Sequence, residues 1–285
     1  MLRVENLKYT YKGSNKPAVE NINFEINEGE VFGFIGPSGA GKTTTQRLII
    51  GLLKGYDESI KINGAERSSL KNDFYEKIGV AFEFPNLYIK LTAYENLKLI
   101  ESFYKESNKN IDNLLELVGL TKDKNKKVES FSKGMKMRLN FIRAIMHNPE
   151  MIFLDEPTAG LDPVNAKTIK DKILNLKDEG KTVFLTTHNM TVAQQLCDRV
   201  AFINEGRILV VESPKKLMLN YGKPMVNIEY LKDSNIQQIK FSIKSLGKNP
   251  EFNRVINNYE VMTIHSKEAT LEDVFIQLTG KEFVE

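Results

Sequence analysis

One cysteine, Cys197, is all that 285 residues offer for disulfide chemistry. No internal bridge can brace the fold, which fits a reducing compartment. Cys197 stands between Leu196 and Asp198 and reads as a small buried apolar side chain rather than a reactive thiol. Long apolar runs are missing as well. Nothing approaches the ~20 residues that a membrane-spanning helix needs, so any membrane role has to pass through a partner. The opening MLRVENLKYTYKG lacks the apolar core of a secretory signal. Charge of one sign is not in excess, with 40 basic against 37 acidic residues and a net charge of +3. That balance argues against nucleic acid or a membrane surface as the main partner. The local basic group Lys122, Lys124, Lys126 and Lys127 reads as a solvated loop. Internal repeats and low-complexity segments are absent too.

What is present is the composition of a folded protein, 41% hydrophobic and 27% charged, long enough for one large domain with an appendage or for two domains. Ile22, Phe24 and Ile26 alternate on one face, and Val31 to Ile35 is an apolar run broken by Gly33. The pattern predicts antiparallel strands leading into one buried strand. Helices are expected over QRLIIGLL with Gly51 near the end, over Thr92 to Ser107, Ile111 to Val118, Phe131 to His147 (opened by Ser132), Pro163 to Lys177 and Met190 to Leu196. Short buried strands are expected over Ile78 to Phe82, Met151 to Leu154, Thr182 to Thr187 and Val200 to Ile203. Strands alternating with helices predict an α/β fold with a mainly parallel sheet.

Two motifs carry chemistry. Gly36-Pro37-Ser38-Gly39-Ala40-Gly41-Lys42-Thr43, followed by Thr44, satisfies GxxxxGK[ST] between an expected strand and an expected helix. Backbone N–H groups of such a loop wrap phosphate oxygens, and the helix N-terminus adds its positive end. Lys42 supplies a point charge to the β- and γ-phosphates, and Thr43 a hydroxyl to Mg²⁺. Met151 to Leu154 then ends in Asp155 and Glu156. Beside a phosphate loop, the carboxylates of such a strand take different tasks, one holding Mg²⁺ and the other serving as base for the attacking water.

Between these motifs lies Phe131-Ser132-Lys133-Gly134-Met135-Lys136. It resembles the LSGGQ signature of ABC-type ATPases, keeping the serine and second glycine, in a form seen among bacterial efflux-type ATP-binding subunits. Read by itself the segment is a capped helix start, and Ser132 with the first-turn amides makes a second phosphate-binding terminus. The other family features follow in order. Tyr11 matches the aromatic that stacks on adenine, Ala159-Gly160-Leu161-Asp162 the loop that touches the opposite subunit, and His188 the histidine that contacts the γ-phosphate. The likeness covers roughly residues 1 to 220, with a weaker one in Thr270 to Phe275.

The resemblance implies an α/β P-loop fold with a mainly parallel sheet, an antiparallel β subdomain and an α-helical subdomain at about 85–150. Together these form an ATP-binding domain over 1–220, and 221–285 follows as a small α+β region. ATP and Mg²⁺ are the implied cofactors. The implied assembly is a dimer with a second copy or a similar subunit, in which Ser132, Lys133, Gly134 and Met135 reach the ATP of the opposite phosphate loop. Integral membrane permeases are the implied partners, and the inner face of the cell membrane the implied place. The family reading is an exporter's energy-coupling subunit; a soluble regulatory ATPase of the same superfamily is the alternative. A P-loop kinase or GTPase is a third, weakened because no guanine-reading NKxD segment is found.

Glu83 is the clearest departure. It follows Ile78 to Phe82, in the slot where the family has a glutamine that reaches Mg²⁺ and the attacking water. A carboxylate ligates magnesium but cannot donate a hydrogen bond, and it repels the γ-phosphate. Glu83 therefore either binds Mg²⁺ or stays withdrawn until the dimer closes. Around it, Phe82, Phe84 and Tyr88 are expected in the core. Tyr94, Phe103 and Tyr104 are candidates for a groove that receives a helix of the membrane partner.

Overall fold

The structure is a computed structural model that describes residues 1–105, 110–222, 225–267 and 269–280. The chain divides into two compact units, Met1–Glu212 and Ser213–Glu285. The division falls eight residues ahead of the boundary expected after residue 220.

In the first unit, β1 (Leu2–Tyr9) and β2 (Val19–Ile26) turn alternate apolar residues inward, while β3 (Val31–Ile35) is buried on both faces. The glycine-rich loop leads into α1 (Lys42–Ile50), which stops at the left-handed Gly51. Next come β4 (Asp57–Ile62), β5 (Ala65–Glu66), α2 (Asp73–Glu76) and β6 (Ile78–Ala81). The helical segment holds α3 (Ala93–Glu101), α4 (Ile111–Leu117) and α5 (Lys133–Ile145). Thr92 and Glu95 form a capping box at the start of α3. Of the helix expected over 92–107, residues 106 and 107 lie outside the described residues. The unit closes with β7 (Met151–Asp155), α6 (Pro163–Asp178), β8 (Thr182–Thr187), α7 (Met190–Leu196), β9 (Arg199–Asn204) and β10 (Arg207–Glu212).

Strands β2-β1-β4-β5 make an antiparallel sheet, and β10-β9-β3-β8-β7-β6 a mixed one. In the mixed sheet every pairing is parallel except β9 with β10. The two sheets share one core, where Phe24 of β2 stacks on Phe32 of β3 at 5.5 Å and Phe153 of β7 lies 5.7 Å from Phe184 of β8. Cys197 is buried as expected; a Cβ on Gly33 would lie 2.7 Å from its sulfur.

The second unit contains α8 (Pro214–Tyr221), β11 (Met225–Lys232), β12 (Asn235–Ser242), α9 (Pro250–Asn258), β13 (Glu260–Lys267) and α10 (Leu271–Thr279). Its strands form an antiparallel sheet in the order β12-β11-β13. Val226, Ile228 and Phe241 pack with Val255 of α9 as a separate small core.

Candidate active site

Topology assembles the site. In the mixed sheet Ile35 pairs with Thr187, Asp155 with Thr186, and Ala81 with Leu154. The carboxyl ends of β3, β8, β7 and β6 are therefore level, at the edge where open α/β sheets bind ligands. Gly36, Thr187-His188, Asp155-Glu156 and Glu83 all leave the sheet along that edge.

The phosphate loop is held by close backbone contacts. A Cβ on Gly36 would lie 2.1 Å from the Ile203 carbonyl oxygen, and one on Gly41, at φ 107°, 2.6 Å from that of Ala18. Pro37 and Ala40 close a turn through Ala40 N–H to the Pro37 carbonyl (3.2 Å), with Ser38 and Gly39 exposed at its tip. Gly41 caps α1 with no side-chain acceptor, so the first-turn N–H groups stay available to an anion. Lys42 donates from Nζ to the carbonyls of Gly36 (2.6 Å) and Pro37 (3.0 Å). Burial pushes its pKa down, opposed by the negative charges of Glu156, Asp155 and Glu83. Glu83 thus lies within the electrostatic reach of the loop lysine. Thr44 meets the Tyr11 hydroxyl at 3.1 Å, which ties the aromatic to the loop.

Asp155, the last residue of β7, is buried. Its carboxylate accepts from Thr186 Oγ1 and from Thr43 Oγ1, the latter at 3.3 Å. Burial raises its pKa, the Glu156 charge adds to the rise, and the two threonines and Lys42 oppose it. A hydroxyl and a carboxylate side by side are the oxygen donors that a small hard dication takes, so Thr43 and Asp155 fit Mg²⁺. Among the described residues no cluster of three or more His, Cys, Asp or Glu is placed to hold a metal. Any metal here would rely on substrate oxygens to complete its shell.

Glu156 lies past the strand, not within it, and has φ 48°. A non-glycine residue in that region carries strain, which proteins retain mainly at functional sites. Its Oε1 accepts from the His188 amide at 2.8 Å and meets His188 Nδ1 at 2.6 Å, and its Oε2 accepts from Thr187 Oγ1 at 2.9 Å. Three of about four acceptor positions on the carboxylate are filled. Thr186 and Thr187, which orient both acids, were missed in the sequence. Their signal is in the sequence: two adjacent threonines at the carboxyl end of a strand, directly after the apolar Val183-Phe184-Leu185.

Ser132 caps α5, accepting from Met135 N–H at 3.2 Å. Gly134 lies against the 160–161 turn, where a Cβ would come 3.3 Å from Leu161 Cδ2, and the stem of Lys133 runs beside Gly160. Asp162 caps α6, accepting from Val164 N–H at 3.1 Å and Asn165 N–H at 3.0 Å. No hydrogen bond among the described residues joins this second group to the phosphate loop of the same chain. The site residues therefore form two clusters.

Beside the Glu83 segment a groove of about 280 Å³ opens among Ile50, Leu52, Tyr75, Val80, Phe82, Tyr104 and Arg143. Phe84 and Tyr88, expected in the core, are 73% and 51% exposed. The segment leaves the sheet after Ala81, so the alternation that would have turned them inward no longer applies. Phe103 is exposed, and Tyr94 and Tyr104 are half-buried. Tyr104 stacks on the buried His147 with ring centroids 3.7 Å apart.

Residues 19–159 match the family described as ABC transporter, and residues 224–268 match the fluoroquinolone efflux ABC transporter C-terminal domain. The chain is 46% identical to a fluoroquinolones export ATP-binding protein of Mycobacterium tuberculosis, over 99% of this chain and 94% of that protein. It is 37% identical to a bacitracin transport ATP-binding protein of Bacillus licheniformis, over 94% of each. Among solved structures, an ATP-binding subunit of an ABC transporter superposes with TM-score 0.71 at 28% identity, covering 78% of this chain and 93% of that one. A dimeric ATP-binding cassette in a post-hydrolysis state with ADP and Pi superposes with TM-score 0.66 at 30% identity, covering 75% and 98%.

Proposed function

This chain belongs to the ABC transporter family as an ATP-binding subunit, and on that footing we propose how its own residues couple ATP hydrolysis to export. It is an ATPase with the P-loop fold of that family, and it serves an exporter as the energy-coupling subunit. A soluble regulatory role is not favoured, because the relatives named above are transport and export proteins.

The observation that carries the residue assignment is the level edge at which Lys42, Thr43, Asp155, Glu156 and His188 converge. The loop from Gly36 to Thr44 wraps the phosphates, with the backbone N–H groups at its tip and at the start of α1 as donors, and Tyr11 stacks on the adenine. Thr43 and Asp155 hold Mg²⁺, with Glu83 as a further candidate ligand. Held there, Mg²⁺ would supply positive charge against the negative charge that develops on the phosphates. Glu156 keeps one acceptor position for the attacking water and takes its proton. His188 fixes that carboxylate through Nδ1 and turns its remaining nitrogen toward the γ-phosphate.

The second cluster acts in trans. In a head-to-tail dimer Ser132, Lys133, Gly134 and Met135 of one subunit cover the ATP of the other, with Asp162 at the contact. ATP draws the subunits together because it binds the closed dimer better than the open one. No helix among the described residues is long and apolar enough to cross a membrane, so the proposed place is the cytoplasmic face, beside a permease whose helix docks in the groove by Tyr75 and Tyr104. The match at 224–268 supports fluoroquinolone-type antibiotics as the exported class. Co-expression of the tagged chain with the membrane protein of a neighbouring gene tests the assembly. A chain that never partitions with membranes there is not a transporter subunit.

A further inference from the structure

The groove assigned to the membrane partner is walled by apolar and aromatic side chains and contains one charged residue, Arg143 of α5. Arg143 is half-buried, and among the described residues it pairs with no carboxylate. Its guanidinium donates to the Asn86 carbonyl at 2.7 Å and to Asn140 Oδ1 at 2.6 Å. Asn140 in turn donates to the Phe82 carbonyl at 2.8 Å. Two of its five N–H donors are accounted for, and the fork is fixed in direction by the Asn86 carbonyl directly and by Asn140, which itself holds the Phe82 carbonyl on the other side of Glu83. Burial already pushes its pKa down.

An uncharged helix laid into this groove would strip water from a guanidinium that has no counter-charge, which is costly. A helix bearing a carboxylate would turn the same burial into a charge-assisted, bidentate contact. Resting on the docking assignment above, we infer that the permease segment received here is an amphipathic helix with an apolar anchor and an adjacent Asp or Glu that pairs with Arg143. The pair has mechanical reach. Arg143 stands in the last turn of the helix that begins at Ser132, and it grips the backbone flanking Glu83. A push on the permease carboxylate is therefore felt at both the signature turn and the metal-side loop.

The test uses the full chain in complex with its permease, captured through a tag on the chain. Arg143→Met should weaken capture about thirtyfold or more, Arg143→Lys, which keeps the charge but loses the fork, should fall between Met and wild type, and Arg143→Glu should lose it. Replacing each Asp or Glu of the permease cytoplasmic loops by Gln leaves this chain untouched, so folding of the cassette is not at issue. One such replacement should reproduce the loss, and its reversal to Arg should restore capture by the Arg143→Glu chain. Capture that is unchanged in Arg143→Met and Arg143→Glu, or in every permease Gln variant, overturns the pairing. If the wild-type chain captures no membrane protein, the docking assignment itself falls, and the pairing with it.

Discussion

Glu156 and His188 share a short contact, Oε1 to Nδ1 at 2.6 Å, while the amide of the same histidine donates to the same oxygen. An ionised carboxylate only accepts, so the proton of this contact sits on Nδ1. Glu156→Gln keeps the size and removes the ability to take a proton. Turnover should fall roughly hundredfold or more, with ATP affinity retained and an ATP-bound dimer accumulating. Phosphate release and gel filtration with ATP check both halves. Steady-state hydrolysis at the wild-type rate would rule out Glu156 as the base.

Asp155 makes stability and activity oppose each other. Its folded-state pKa is raised, so its contribution to stability is fully present below the unfolded pKa and is lost as pH rises through the folded one. At neutral pH, without nucleotide or metal, the ionised carboxylate is a liability. Asn can keep both threonine contacts without the charge. Asp155→Asn should therefore raise the unfolding midpoint by about 2–4 °C per kcal/mol gained, and the gain should shrink as pH falls toward the ordinary carboxylate range. The same variant should lose Mg²⁺-dependent hydrolysis. A midpoint difference that stays constant with pH would contradict the charge argument.

Glu83→Gln tests the unusual carboxylate. Among the negative charges acting on Lys42, that of Glu83 ranks behind those of Glu156 and Asp155. If Glu83 ligates the metal, the Mg²⁺ concentration for half-maximal hydrolysis should rise several-fold in the Gln variant. Metal dependence and turnover that both match wild type would place Glu83 away from the ion.

Tyr11 lies edge-on to Tyr9 and meets Thr44 through its hydroxyl. Stacking on a base is worth ~1–3 kcal/mol, so Tyr11→Ala should weaken ATP binding about tenfold. Tyr11→Phe, which keeps the ring, should stay close to wild type in calorimetric titration. Equal losses in the two variants would assign the effect to the hydroxyl and not to stacking.

The legible parts of the site were those set by local spacing. Lys42, Thr43, Asp155, Glu156 and Ser132 are named by neighbours a few residues away, and the alternation of β2 or the cap of α5 follows from the same short-range rules. What escaped depends on tertiary pairing. Thr186 matters because β8 lies beside β7, and Arg143 because its fork reaches the loop after β6. The exposure of Phe84 and Tyr88 follows from where β6 stops, which apolar character alone does not reveal. Strand β4 mixes charged and apolar residues, β5 is two residues long, and the apolar run Ile208 to Val211 of β10 shows no alternation, so their periodicity is weak.

Arg67, likewise unforeseen, links the helix that follows the phosphate loop to the groove. It is buried at the carboxyl end of α1, donating to the carbonyls of Ile49 (3.0 Å) and Ile50 (2.7 Å) and to the hydroxyl of Tyr75 (3.0 Å), with its guanidinium carbon 4.4 Å over the Phe74 ring. The cation thus caps the negative end of the helix whose other end holds phosphate, and it ties that helix to a wall of the groove. Gly51 makes room for it: at φ 83°, a Cβ there would lie 2.0 Å from Arg67 Nη2. Gly51→Ala should cost about 1–2 kcal/mol in left-handed strain and more through the displaced charged hydrogen bonds, which are worth about 1.5–3 kcal/mol each. Denaturant unfolding of a double-mutant cycle separates the two. In an Arg67→Ala background the Gly51→Ala cost should shrink to the strain alone. Strict additivity of the two substitutions would mean that the arginine and the glycine do not share the clamp.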